Sequence, residues 1–241
     1  MIDVLAIGAH PDDVELGMGA TIAKLVRLGF KAAILDLTDG EPTPYGSKEL
    51  RLKESLESAK ILKVERSILS LPNRYLLDTI ENRKEIAGQI RKIRPKIVFA
   101  HYWVDRHPDH IAASQLSEAA VFYSKLTKSD LPGQPLEIEK IYYFYPFHLR
   151  LSIKPSFIMD VSEDFSKKIE SLKAYQSQFI DNQFIDNQFI DNQFIDNEKN
   201  SPIFDYLRKQ SEYLGSLIKR SFGEAFISKE TVGISSIFDL I

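Results

Sequence analysis

The 241-residue chain contains no cysteine. Disulfides, thiolate nucleophiles and cysteine-based zinc or iron–sulfur sites are therefore excluded. No apolar run approaches the roughly 18 residues of a membrane span. Basic surplus is also missing: 31 Lys+Arg against 34 Asp+Glu leave a formal charge of −3. A nucleic-acid binder usually carries the opposite balance. The opening Met-Ile-Asp-Val-Leu-Ala-Ile-Gly lacks the basic n-region of a signal peptide. The expectation is a cytoplasmic protein that meets neither membrane nor nucleic acid. Nucleotide motifs are absent too. Gly17-Met-Gly19 is half of a dinucleotide fingerprint, but its third glycine is missing and it comes too late after the first strand. There is no Walker loop and no Gly-x-Ser-x-Gly elbow.

What is present is a globular composition, 44% hydrophobic and 27% charged. Short apolar runs alternate with helical periodicity. Strands are expected at 4–8, 32–37, 67–71 and 96–100, and helices at 17–29, 48–63, 78–93 and 108–126. Gly29 reads as a helix stop. Later strands are expected at 141–145 and 157–161, and helices at 163–178 and 202–220. The last helix has Ser201 as N-cap and Pro202 at its first position. This alternation predicts a single α/β domain over 1–241, Rossmann-like, with a mostly parallel sheet and helices on both faces.

The chain has five histidines, His10, His101, His107, His110 and His148. Three lie in two short acidic motifs. Gly8-Ala-His-Pro-Asp-Asp-Val-Glu15 follows the first strand, and Asp105-Arg-His-Pro-Asp-His110 follows the fourth. A lone His-Pro-Asp is usually just a turn. Two of them at strand ends mean more, because doubly wound sheets bind ligands where the strand order reverses. In the order 3-2-1-4, strands one and four flank that point. Histidine and aspartate without cysteine are the ligand types of a catalytic zinc site, with three protein ligands and an open position. His10, Asp13 and His110 form a candidate set. Asp12, His107 and Asp109 are left beside it. Asp12 is placed to take a proton from the attacking water. His107 either stabilises an oxyanion or protonates a leaving amine, and Asp109 orients His107 through its ring N–H. His101 reads as a wall of the site, and His148 as structure or pocket edge. Trp103 and the tyrosines of 142–145 read as packing, since no basic patch accompanies them.

At these motifs the chain resembles the PIG-L/LmbE-like family of zinc-dependent N-acetylglucosaminyl deacetylases. Residues 8–23 resemble its first metal motif, and Leu37-Thr-Asp-Gly-Glu41 with Arg51 and Glu54 its second block. Asp105–His110 resembles its second metal motif. Pro155–Ser162, Ala174–Phe179 and Gly223–Phe226 resemble blocks of the bacillithiol-biosynthesis branch, which acts on N-acetylglucosaminyl malate. The resemblance implies an LmbE-like fold, Zn²⁺ (or Fe²⁺ or another divalent ion) on His10, Asp13 and His110, and Asp12 as general base. His107 and Asp109 become an electrostatic pair. The mycothiol branch carries a tyrosine near the second motif, where this chain has Asp105 and Arg106. A malate aglycone needs cationic partners, for which Arg51 and Arg106 are candidates. Glu41 is placed with them as substrate-binding. The expected partner is a small amino-sugar substrate, and the expected assembly a homo-oligomer.

Two rivals belong to other classes. A two-His-one-carboxylate iron oxygenase uses similar ligands, but the βα alternation opposes its all-β fold. A metal-dependent sugar-binding module without turnover would leave Asp12 and the His107/Asp109 pair idle. One segment stands apart: Gln-Phe-Ile-Asp-Asn recurs four times in tandem over 178–197. A five-residue period scatters its phenylalanines around a helix and switches them between strand faces. It reads as an insertion tolerated in a surface loop or helix extension, with a lid or interface as the alternative.

Overall fold

A computed structural model of the chain describes residues 2–149, 153–179 and 202–233. Its elements run β1 (Val4–Gly8), α1 (Asp13–Arg27), β2 (Ala32–Asp36), α2 (Lys48–Leu62), β3 (Glu65–Ile68), α3 (Ile80–Ile93), β4 (Ile97–His101) and α4 (Pro108–Ser124). They continue with β5 (Lys140–Phe144), β6 (Phe157–Asp160), α5 (Phe165–Leu172), α6 (Gln176–Phe179), α7 (Pro202–Ser216) and β7 (Gly223–Ile227). The seven strands form one sheet in the order β3-β2-β1-β4-β5-β7-β6. Pairing is parallel from β3 to β5, while β7 runs antiparallel to both β5 and β6.

Strands β1 and β2 are buried along their whole length, which is why they read as unbroken apolar runs rather than alternating ones. Alternation still decides which layer each side chain enters. Leu5 and Ile7 pack with Ile86 and Ile90 of α3 and Leu116 of α4. Val4 and Ala6 pack with Val14, Met18 and Ile22 of α1 on the opposite face. The sheet is therefore clothed on both sides, as expected of an α/β chain.

Local chemistry sets the helix ends. Ser47 Oγ accepts the Leu50 N–H at 3.2 Å to open α2, and Thr79 Oγ1 accepts the Asn82 N–H at 3.2 Å to open α3. Gly29 follows α1 with φ of +89°, a left-handed conformation that glycine adopts without penalty.

Several boundaries differ from expectation. The first helix begins at Asp13, not 17, because the His-Pro-Asp-Asp turn leads straight into it. The third strand lies at Glu65–Ile68, on the sheet edge, where its half-exposed residues give no apolar run. The helix expected over 163–178 is two helices, α5 and α6. Strand β7 was not anticipated; its five residues, all buried, begin with glycine and a glutamate. The Ser201 cap, and the repeat beyond Phe179, lie outside the described residues. Among those described, no helix is long and apolar enough to cross a membrane.

Candidate metal centre and active site

Strands β1 and β4 are neighbours, and each ends in a turn carrying one of the two motifs. The first turn delivers His10, Asp12 and Asp13 to the head of α1. The second delivers His107, Asp109 and His110 to the head of α4, with Pro108 in its first turn and His107 at the N-cap. All five histidines converge there. Ring centroids lie 4.3 Å apart for His101 and His110, 4.7 Å for His107 and His110, 4.8 Å for His10 and His107, and 5.2 Å for His110 and His148.

Asp13 is the hub. Its Oδ1 lies 3.2 Å from His110 Nε2, and its Oδ2 lies 3.3 Å from His10 Nδ1 and 3.2 Å from His101 Nε2. Oδ2 also accepts the His10 backbone N–H at 2.8 Å. The outer nitrogen of each flanking ring is held by a second carboxylate. His10 Nε2 lies 3.2 Å from Asp109 Oδ2, and His110 Nδ1 lies 2.9 Å from Asp105 Oδ2. Metal-binding histidines are characteristically backed in this way, which fixes tautomer and ring orientation.

His10, Asp13 and His110 are all buried and offer ligand atoms within 4.8 Å of one another. Two further groupings, His10/His107/Asp109 and His101/Asp105/His110, meet the same distance. Both take in a carboxylate that already backs a histidine. The first set alone leaves Asp105 and Asp109 in that supporting position, and its donor types suit a divalent ion. Electrostatics agree. Burial alone would lower His10 and His110, but Asp13, with Asp109 and Asp105 respectively, raises them to about 9 and about 10. Against its own burial, Asp13 is held well below the usual carboxylate range by His110, His101 and His10. The cavity between these groups calls for positive charge. His101 and His107 behave oppositely: burial and the neighbouring His110 push both down to about 4, so they are neutral at pH 7.

Asp12 stands apart from the ligand set. It occupies the N-cap of α1 with φ of 104° and its carboxylate caps nothing. Instead its Oδ2 accepts from Arg51 Nη2 at 2.9 Å, and the same Nη2 donates to Pro11 O at 2.7 Å. Burial pushes Asp12 up to about 7, with Arg51 opposing and Asp13 and Glu15 adding to the rise. Arg51, expected to meet a substrate carboxylate, does line the cleft, with only part of its guanidinium committed. Its guanidinium is buried, Nη2 is spent on Asp12 and Pro11, and Nε and Nη1 have no partner among the described residues.

The other two expected substrate residues fall elsewhere. Glu41 is buried and turned onto its own loop, accepting from Thr43 N at 2.5 Å and Thr43 Oγ1 at 2.8 Å. Arg106 is exposed and stands outside the cleft lining. The expected role of Asp109 is corrected as well. Its carboxylate meets His10 and accepts the N–H groups of Arg74 and Leu76, at 2.6 and 3.2 Å. The Asp109 backbone N–H, not its side chain, orients His107 by donating to Nδ1 at 3.2 Å. Nδ1 is then an acceptor, so the neutral ring carries its proton on Nε2.

The cluster of His10, Asp13 and His110 opens into a cleft of about 430 Å³ lined in part by Asp12, Thr43, Arg51, Arg74, His148 and Phe179. A larger hollow of about 560 Å³, at the far end of α1, holds no histidine, and Arg27 and Lys24 there are engaged by Asp164 and Asp160. Arg74 and Phe179 were not anticipated in the cleft. Arg74 lies on a loop without periodicity; Phe179 lies in the first repeat copy, and the resemblance of residues 174–179 to a family block marked it.

Residues 5–121 match the family described as PIG-L, GlcNAc-PI de-N-acetylase. The diacetylchitobiose deacetylase of Thermococcus kodakarensis is 35% identical over 192 residues, covering 73% of this chain and 70% of that protein. The chain belongs to this deacetylase family. Its structure is similar to that of the conserved protein TT1542 from Thermus thermophilus, with a TM-score of 0.84, 33% identity and 97% of each chain covered. It is also similar to N,N'-diacetylchitobiose deacetylase from Pyrococcus horikoshii, with a TM-score of 0.76 and 27% identity over 99% of this chain and 88% of that one.

Proposed function

We propose that this chain is a zinc-dependent hydrolase that removes the acetyl group from the amine of an N-acetylglucosamine conjugate. The observation that carries this is Asp12: a buried carboxylate outside the ligand set, facing the cleft beside His10, Asp13 and His110 and held by its own guanidinium. A sugar-binding module has no use for such a group, whereas amide hydrolysis needs a base at that place.

A zinc ion on His10, Asp13 and His110 supplies Lewis acidity to the acetamide carbonyl and makes water a stronger acid. The side chains do the rest. Asp12 accepts the proton as water attacks the carbonyl carbon. His107, neutral with its proton on Nε2, donates to the developing oxyanion. The C–N bond then breaks, and the proton held by Asp12 passes to the leaving amine, giving acetate and a free amino sugar. Arg51 holds Asp12 in place and keeps its pKa from rising further, so that it is a competent base near neutrality.

For the aglycone, the malate conjugate of the bacillithiol branch stays the first candidate. Arg51, through its unspent Nε and Nη1, and Arg74 at the cleft wall are the cations placed to meet it. A cytoplasmic, homo-oligomeric enzyme is part of the same proposal. The test is acetate release from N-acetylglucosaminyl malate, N,N'-diacetylchitobiose, an N-acetylglucosaminyl inositol and free N-acetylglucosamine, with and without chelator. Chelator-sensitive release from at least one is expected. Release that survives full removal of metal, or none from any conjugate by zinc-loaded protein, overturns the reading.

A further inference from the structure

Helix α1 is broken. Met18 has φ of −150° and ψ of 23°, so a first turn, Asp13 to Gly17, is offset from the rest. A break strands backbone donors on one side and acceptors on the other, as any helix end does. Two buried side chains from the far end of the sequence meet that need. Glu224, on β7, accepts the N–H groups of Ala20 and Thr21 at 3.3 and 2.7 Å, one on each carboxylate oxygen. Lys168, on α5, donates to Leu16 O at 2.7 Å and pairs with Glu224 Oε1 at 2.7 Å. Both side chains are at most 5% exposed.

The glycines of Gly17-Met-Gly19 find their reason here rather than in a nucleotide. A Cβ on Gly17 would lie 2.3 Å from the Phe144 ring, and one on Gly19 would lie 3.2 Å from Lys168 Cγ. The chain is pressed against β5 and α5 where the helix breaks. The offset turn carries Asp13 at its head, Asp12 at its cap and Leu16 in the cleft lining.

We propose that Lys168 and Glu224 are positioning residues for the metal centre: by splinting the break in α1 they set where Asp12 and Asp13 stand relative to His10 and His110. The inference rests on the reading of His10, Asp13 and His110 as ligands. It also accounts for the Gly223–Phe226 block, whose glutamate is absent from the cleft lining and yet governs its geometry. A pair kept for stability alone behaves differently: its loss lowers the melting temperature and leaves the affinity and spectrum of the metal site unchanged.

The test uses the full chain and reads metal binding rather than turnover. Zn²⁺ affinity is measured by competition with a chromophoric chelator, and ligand geometry by the visible spectrum of bound Co²⁺. The variants are Glu224→Gln and the double variant Lys168→Met/Glu224→Gln, with Ile90→Val in the opposite layer as a control for general loosening. The double variant is expected to fold with some loss of thermal stability, since Leu16 O and the Ala20 and Thr21 N–H groups lose their charged partners, to bind Zn²⁺ at least tenfold more weakly and to show an altered Co²⁺ spectrum. Ile90→Val keeps the wild-type affinity and spectrum. Zn²⁺ affinity within twofold of wild type and an unchanged spectrum in the double variant overturn the proposal, as does failure of the wild type to bind Zn²⁺. If neither replacement folds, Glu224→Asp, which keeps the charge but draws it back by one methylene, is read by the same two criteria. Wild-type protein that binds Zn²⁺ but releases no acetate sinks the proposed function and leaves this inference standing.

Discussion

Removing the metal should make the fold's stability depend on pH in a direction set by Asp13. In the metal-free chain, His10 titrates at about 9 and His110 at about 10. Each titrates near 6.5 once unfolded. A folded pKa above the unfolded one stabilises the fold fully below pH 6.5. That contribution is lost as pH rises through 9 and 10. At 1.36 kcal/mol per pH unit, His10 alone accounts for about 3 kcal/mol. The two rings share one Asp13 carboxylate, so the pair together is worth roughly 3–5 kcal/mol rather than the full sum. A chain of this size shifts its Tm by roughly 2–4 °C per kcal/mol. The metal-free Tm should therefore fall by roughly 6–12 °C for each 3 kcal/mol lost.

The useful window is pH 7 to 9.5. His101 and His107, pushed down to about 4, change stability only below pH 6.5; Asp12, at about 7, is half ionised at the window's lower edge and adds to the slope only up to about pH 8. Thermal unfolding followed by circular dichroism, on chelator-treated and zinc-saturated protein, reads the effect. Zinc takes the place of the two ring protons, so its stabilisation should grow as pH rises, and binding at pH 7 should release about two protons. Calorimetry in two buffers of different ionisation enthalpy counts them. Asp13→Asn removes the carboxylate that raises both rings and leaves only Asp109 and Asp105 to do so, and its metal-free Tm should show a much shallower slope. A flat metal-free Tm across the window, or an equal slope in Asp13→Asn, would refute the electrostatic account.

Four other outcomes follow from the same geometry. Asp12→Asn should keep its zinc and lose roughly 10²–10⁴ in kcat, the span of general acid–base catalysis; a wild-type rate at saturating substrate would exclude it as the base. Arg51→Met removes the cation that opposes the rise of Asp12, so the acidic limb of kcat/KM should move to higher pH; an unmoved limb breaks the link. Arg66→Met should cost about 3–5 kcal/mol in urea unfolding, because Arg66 is fully buried between Asp36 and Glu15 and both carboxylates lose their cation; a loss below about 1 kcal/mol contradicts that. Deleting Gln183–Asn197, three of the four repeat copies, should leave zinc content and rate within a few-fold; a folded, zinc-bound deletion without activity favours the lid or interface.

The layers were legible because burial on both faces leaves an unmistakable trace. Val4–Gly8 and Ala32–Asp36 can only be interior strands, and the helical stripes between them force right-handed crossovers. The meeting of the two His/Asp motifs was legible for a related reason. Strands β1 and β4 must be neighbours in such a sheet, so motifs at residues 10–13 and 107–110 must meet. The substrate residues were not legible. Glu41 and Arg106 carry charges near the motifs, but a sequence does not say whether a charge faces the cleft or its neighbour. Here Thr43 satisfies Glu41, Arg106 stands outside the cleft lining, and Asp12 claims only one nitrogen of Arg51. Strand β7 was missed because its glycine and glutamate look like a turn; its burial comes from lying between β5 and β6, partners far upstream in the sequence.

The same limit explains Asp109. A carboxylate two residues from a histidine suggests a pair, and the pair exists, but through the backbone: the Asp109 N–H sets the His107 ring while its side chain reaches across to His10. One residue thereby ties the two motifs together. It fixes the tautomer of a ring left free to donate in the cleft and backs a ring left free to ligate. The Arg74 and Leu76 N–H groups anchor that carboxylate from the loop after β3. The segments that follow β1, β3 and β4 therefore converge on a single side chain. A geometry shared among so many elements is costly to distort, and the proposed site, with an ion and a base a few ångströms apart, requires that rigidity.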